Sequence, residues 1–252
     1  METVRHDAFT PGETIVSPIL LMGPSTTGKS AVAKMIARTI GAEIVNADRF
    51  YTYANDEFCV GLGLMPGELD DGIPRHLYGV RSPREQPLAR DEYAEAAIGV
   101  IDGITSRSVP AVVEGCTLYY NAELYAHYGP QHCVRLSWQS RNDPPGRIDS
   151  RIRKAIDSGL YDETERNIEA GYALTFPMYS YLYTLAQEIG REPHNEQIYM
   201  NVQRAIWLRM VLAQDRWYEN RTKAVRMDST ARDSRELAGR IINLMVERST
   251  GT

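Results

Sequence analysis

The chain has 252 residues, 43% hydrophobic and 24% charged, with a formal net charge of −5. That length suits one sizeable α/β core with a small appended unit, and an acidic balance with no run of Lys or Arg disfavours a surface built to neutralise a nucleic-acid backbone. Three scattered cysteines, Cys59, Cys116 and Cys133, lack metal-like spacing and read as free thiols; with a polar N-terminus and no long apolar run, the expectation is a cytoplasmic protein with no membrane partner.

In chain order, Ile19 to Met22 predicts a buried strand. It is followed by Gly23-Pro24-Ser25-Thr26-Thr27-Gly28-Lys29-Ser30, a phosphate-binding loop that opens a helix running from Ala31 to Ile40. Gly41 stops that helix, and Ala42 to Ala47 forms a second strand ending at Asp48. The Gly-, Pro- and acid-rich stretch from Ala54 to Pro87 reads as a long functional loop with little regular structure. A helix is expected over Asp91 to Thr105, and strands over Pro110 to Val113 and His132 to Leu136. Helices then follow at Arg147 to Ile156, Tyr161 to Gly171, Tyr179 to Ile189 and about Asn195 to Asn220, before a last strand at Lys223 to Met227 and a helix at Ser234 to Val246. Alternation of this kind predicts an α/β fold: a P-loop NTPase-like parallel sheet flanked by helices, with a small, mostly helical C-terminal subdomain. The division expected is 1–140 for the nucleotide- or diphosphate-binding core, 141–222 for a helical substrate-binding subdomain, and 223–252 for a strand and helix returning to the core.

Three parts of the loop have separate chemical uses. Backbone N–H groups around Gly28 offer an anion-binding concavity at a helix N-terminus, Lys29 brings a point charge to terminal phosphates, and the Ser30 hydroxyl is suited to Mg²⁺. Asp48, at a strand's carboxyl end, is placed to ligate a metal, to accept a proton or to cap a turn. Arg49 beside it is a phosphate ligand or a surface charge, the latter favoured. Glu114-Gly115-Cys116-Thr117 is either a site of close ligand approach or a tight strand-to-helix turn. Arg147 and Arg151, four apart, share one helix face, where two guanidinium groups suit a diphosphate or are simply solvated. Tyr179, Tyr181 and Tyr183 belong to core or pocket wall, and the Trp207, Met210, Val211, Gln214 face reads as core.

These segments, in this order, resemble the isopentenyltransferase family, which includes adenylate and tRNA dimethylallyltransferases. "GPSTTGKS", "GAEIVNADRFYTY", "PAVVEGCTLYY" and "RIDSRIRKAIDSGLYDE" are similar to its loop, second strand, third strand end and R-x-x-x-R helix. The resemblance implies that the loop grips the diphosphate of a prenyl donor, that Asp48 is the catalytic base, and that Lys29 and Arg151 stabilise the leaving diphosphate with Mg²⁺ on Ser30. It also implies substrate contacts from Gly23, Ser25, Thr26, Thr27, Gly28, Arg49, Gly115, Thr117, Arg147 and Tyr181. With only about thirty residues between Thr117 and Arg147, too few for another folded unit, the adenylate (cytokinin synthase) branch is expected. The expected reaction moves a dimethylallyl group from dimethylallyl diphosphate, or a hydroxylated analogue, to N6 of AMP, ADP or ATP. Three departures fall around the acceptor: Cys116 where a second Gly is usual, Val60-Gly61-Leu62-Gly63 in place of T-G-S-G, and Tyr179-Ser180-Tyr181 in place of D-G-Y or V-G-Y, with loss of an acidic group. The alternatives are a small-molecule or nucleoside kinase, a tRNA dimethylallyltransferase, a prenyltransferase with a non-nucleotide acceptor, and a nucleotide-binding protein without turnover.

Overall fold

The computed structural model describes residues 15, 17–54, 59–65, 67–140, 142–171, 196–230 and 233–250. Six strands form one sheet in the order β3-β2-β4-β1-β5-β6, and every neighbouring pair is parallel. They are β1 (Ile19–Met22), β2 (Glu43–Asn46), β3 (Arg75–His76), β4 (Ala111–Glu114), β5 (Cys133–Ser137) and β6 (Val225–Asp228). All residues of β1, β2, β4 and β5 are buried, which is why they read as short apolar runs and not as alternating patterns.

Helices cover both faces. α1 (Lys29–Ile40) and α7 (Ser234–Thr250) pack on one, with Val32, Ile36, Ile241 and Ile242 meeting Ile19 and Leu21. α2 (Arg90–Thr105) and α3 (Leu118–Tyr128) pack on the other, where Tyr93, Ile101, Tyr120 and Leu124 meet Leu20 and Met22. Burying each such side chain fully contributes about 1.5–3 kcal/mol. Gly41 ends α1 in the left-handed conformation, φ +67°. α4 (Pro144–Asp157) starts on two prolines, which cost nothing in a first turn whose N–H groups lack intrahelical partners. With α5 (Leu160–Glu169) and α6 (Glu196–Arg221) it encloses a third cluster containing Ile148, Ile152, Tyr199 and Val211.

The α/β sheet with a helical C-terminal region is the fold expected. Two local features go beyond what the sequence predicts. The 54–87 stretch holds a 3₁₀ turn at Val60–Leu62 and the edge strand β3, which pairs with β2 through Ile44 and Val45; two residues are too few to carry a periodic signal. The segment after Thr117 is the full helix α3, whose Tyr and Leu residues lie all round and blur a 3.6-residue stripe. The helix expected at Tyr179 to Ile189, and with it Tyr181, lies outside the described residues.

Candidate active site at the carboxyl end of the sheet

Because β4 lies between β2 and β1, the chain segments leaving these three strands converge. After β1 the loop turns through Thr26 at φ +68° and enters α1 at Gly28. Thr27 Oγ1 and Lys29 Nζ both donate to the Pro24 carbonyl, at 2.9 and 2.7 Å. Burial lowers the Lys29 ammonium below its ordinary pKa against the opposing influence of Cys116, Glu114 and Asp48. Thr26 Oγ1 is buried with no hydrogen-bond partner among the described residues, an atom left for a ligand by the rule that buried polar groups are paired.

Asp48 follows β2 and is 8% exposed. Its backbone N–H donates to Asn46 Oδ1 (2.7 Å), and Asn46 Nδ2 returns a bond to the Asp48 carbonyl (2.8 Å). The carboxylate is held at both ends: Oδ1 accepts the Phe50 N–H at 3.0 Å, and Oδ2 accepts the Cys116 thiol at 2.8 Å. Cys116 Sγ in turn accepts the Ser25 hydroxyl at 3.1 Å. Burial, reinforced by the Asp48 charge, pushes the thiol up to about 12, so it stays a protonated donor.

Glu114 ends β4 and accepts the Ser30 hydroxyl (3.0 Å) and the Tyr78 hydroxyl (2.7 Å). Burial raises its pKa, partly offset by the Tyr78 hydrogen bond and Lys29. Gly115 presses against the peptide preceding Asp48; a Cβ there would lie 2.1 Å from the Ala47 carbonyl carbon, which no side chain tolerates. Thr117 Oγ1 accepts the Arg49 N–H at 2.9 Å, and the Arg49 guanidinium lies 4.6 Å over the Phe50 ring.

Arg151 reaches the site from α4, donating through Nη2 to Tyr51 Oη (3.3 Å) and to the Leu62 (3.5 Å) and Gly63 (3.3 Å) carbonyls, with its guanidinium 5.1 Å over Trp207. A cavity of about 820 Å³ is lined by these groups. Of the residues singled out by the sequence, it exposes Ser25, Thr26, Gly28, Lys29, Ser30, Asp48, Arg49, Gly115, Thr117, Arg147 and Arg151. Gly23 and Thr27 are not on the lining: Gly23 abuts the Leu136 carbonyl and Thr27 is buried on Pro24, so both shape the loop from behind. Arg147 does not offer a free fork, since its guanidinium donates to the carbonyls of Thr26 (3.2 Å), Ser229 (2.8 Å) and Thr230 (3.1 Å). The α6 face expected to be core is divided. Val211 is buried in the third cluster, and Trp207 and Met210 pack against that cluster while also lining the cavity; Gln214 lines the cavity, its Oε1 accepting the Ser25 N–H at 2.9 Å. The missed signal was the amide of Gln214 inside an otherwise apolar stripe.

Residues 17–72 match the isopentenyl transferase family. That segment carries β1, the loop, α1, β2 and Asp48. A curated relative, the tRNA dimethylallyltransferase of Mycobacteroides abscessus, is 35% identical over 127 residues, covering 49% of this chain and 40% of the relative; the chain thus spans about two fifths of the length of the curated relatives it matches. The solved tRNA delta(2)-isopentenylpyrophosphate transferase of Staphylococcus epidermidis superposes with TM-score 0.78 at 14% identity, covering 92% of this chain and 99% of that one. The tRNA isopentenylpyrophosphate transferase of Bacillus halodurans gives 0.73 at 18%, covering 93% and 98%. At these identities the likeness is one of fold.

Proposed function

We propose that the chain transfers a dimethylallyl group from its diphosphate, or from a hydroxylated analogue, to the exocyclic amine of an adenine, releasing diphosphate. One observation carries the reading: a carboxylate tethered through both oxygens, Asp48, lines the same cavity as the phosphate loop, Arg151 and the apolar side chains of Leu62, Trp207 and Met210. As the N–C bond forms and the C–O bond to diphosphate breaks, Asp48 accepts the amine proton. Negative charge gathering on the diphosphate is met by the loop N–H groups, Lys29 and Arg151. The apolar wall keeps water from the allylic carbon.

Ser30 and Glu114 are hard-oxygen donors, and they are the residues that would hold a Mg²⁺ beside the loop. Among the described residues there is no cluster of three acidic, His or Cys groups able to hold a metal alone. When bound, the ion neutralises charge on the diphosphate.

The curated relatives are named for action on tRNA, which supports a tRNA-borne adenine as acceptor. The short connection between Thr117 and Arg147 does not by itself favour a free nucleotide, since the solved Staphylococcus epidermidis chain, named for action on tRNA, is covered to 99%. The net charge of −5 favours a free adenine nucleotide as the second reading. Incubation with Mg²⁺, dimethylallyl diphosphate and either tRNA or AMP, ADP and ATP, with products identified by mass, tests both. Asp48→Asn should cut kcat by about 10²-fold or more while diphosphate binding persists; near-normal turnover would remove Asp48 as the base.

A further inference from the structure

Glu163, on α5, is 3% exposed and is not part of the cavity lining. Its carboxylate accepts three successive backbone N–H groups: Cys59 and Val60 on Oε2, at 3.0 and 2.7 Å, and Gly61 on Oε1, at 2.6 Å. Hydrogen bonds to an ionised group are about twice as strong as neutral ones, so a buried carboxylate holding three of them fixes this stretch firmly. The three donors begin the turn Val60–Leu62, and the carbonyls at its other end, Leu62 and Gly63, receive the Arg151 guanidinium. Contact there is close. Gly63 sits at φ +82°, and a Cβ on it would stand 2.2 Å from Arg151 Nη2, so bare backbone forms the bed on which the guanidinium lies.

The peptide dipoles of the turn therefore run between two opposite charges, N–H ends on Glu163 and C=O ends on Arg151, each charge at the end it stabilises. The guanidinium is also buried, and its Nε has no hydrogen-bond partner among the described residues. Its orientation thus rests on Tyr51, Trp207 and this backbone bed.

We propose that Glu163 is a positioning residue for Arg151: by clasping the turn at Cys59–Gly61 it sets the carbonyls that hold the guanidinium toward the donor diphosphate. This rests on the functional reading above, because it takes Arg151 to be a diphosphate ligand. If the carboxylate served only fold stability, its loss would lower the melting temperature without a specific effect on anion binding.

A double-mutant cycle separates the two roles. Inorganic diphosphate binding is measured by calorimetry on the full chain and on Glu163→Gln, Arg151→Gln and the double variant, with melting temperatures recorded alongside. The expected result is about tenfold weaker binding for Glu163→Gln in the wild-type background and less than twofold further loss in the Arg151→Gln background. Glu163→Asp keeps the charge but not the three-way reach; it is expected to give an intermediate loss, and it carries the cycle if Glu163→Gln does not fold. Equal losses in both backgrounds, or unchanged diphosphate binding in Glu163→Gln, overturn the proposal alone. A wild-type chain that binds no diphosphate overturns the functional reading and this proposal with it.

Discussion

Cys116 places a thiol between the loop and the carboxylate, at 3.1 Å from Ser25 Oγ and 2.8 Å from Asp48 Oδ2. With its pKa near 12 it donates at every working pH. Removing it frees one end of Asp48 to rotate, so Cys116→Ala should lose about fivefold in kcat, the equivalent of roughly 1 kcal/mol for a modest hydrogen bond to a charged group. Donor KM should hardly move. Cys116→Ser keeps both a donor and an acceptor and should recover most of the loss; steady-state kinetics on the two variants checks this. Lys29, Asp48 and Arg151 were legible in the sequence because each stands at a fixed offset in a motif. The contacts of Cys116 were not, since they join residues 91 and 68 positions apart. The cavity-facing sides of Trp207 and Gln214 were not legible for a related reason: an apolar helix stripe looks the same whether it meets a core, a cavity or both.

Among the elements, Asp71 ties α1 to β3, 2.9 Å from Lys34 Nζ and 3.1 Å from Arg75 Nη2. Burial by itself would raise its pKa, but the Lys34 hydrogen bond, the Arg75 charge and the Ile73 N–H outweigh it and hold the carboxyl below its ordinary value. The unfolded chain therefore binds this proton more tightly than the folded one. Stability from Asp71 is fully present above the ordinary carboxylate range and is lost as pH falls through the lower folded value. Asp71→Asn should cost about 1 kcal/mol near pH 7, with the gap to wild type closing below about pH 4 in thermal melts taken across pH. Arg147 acts at the same scale. Arg147→Ala leaves three carbonyls without their donor, and denaturant unfolding should show a loss of about 2 kcal/mol. Most long elements were legible because strands buried on both faces and amphipathic helices announce themselves. α3 was not, for its apolar residues lie all round, nor was β3, whose two residues owe their strand geometry to pairing with β2.

For the whole molecule, the strand order decides the site: inserting β4 between β1 and β2 brings Asp48, Glu114 and the loop side by side. The sequence shows the alternation of strands and helices but not that order, which depends on crossovers. No helix among the described residues is long and apolar enough to cross a membrane. The acceptor is also a whole-molecule property, since tRNA must contact surface far outside the cavity. If tRNA is the acceptor, its KM should climb steeply between 50 and 200 mM salt, in roughly the range over which phosphate contacts weaken. A free adenine nucleotide, held inside the cavity, should show a much shallower dependence in the same assay.

The Arg147 guanidinium joins the Thr26 carbonyl, in the first loop of the chain, to Ser229 and Thr230, which follow the last strand. On the ribosome, residues 23–30 emerge early and their helix can form early, yet the strut behind them has nothing to grip until some two hundred more residues have been made. The cavity beside this loop is therefore among the last features of the nascent protein to reach its working shape. A chain severed between α6 and β6 keeps every described residue that lines the cavity and still leaves the loop unbraced.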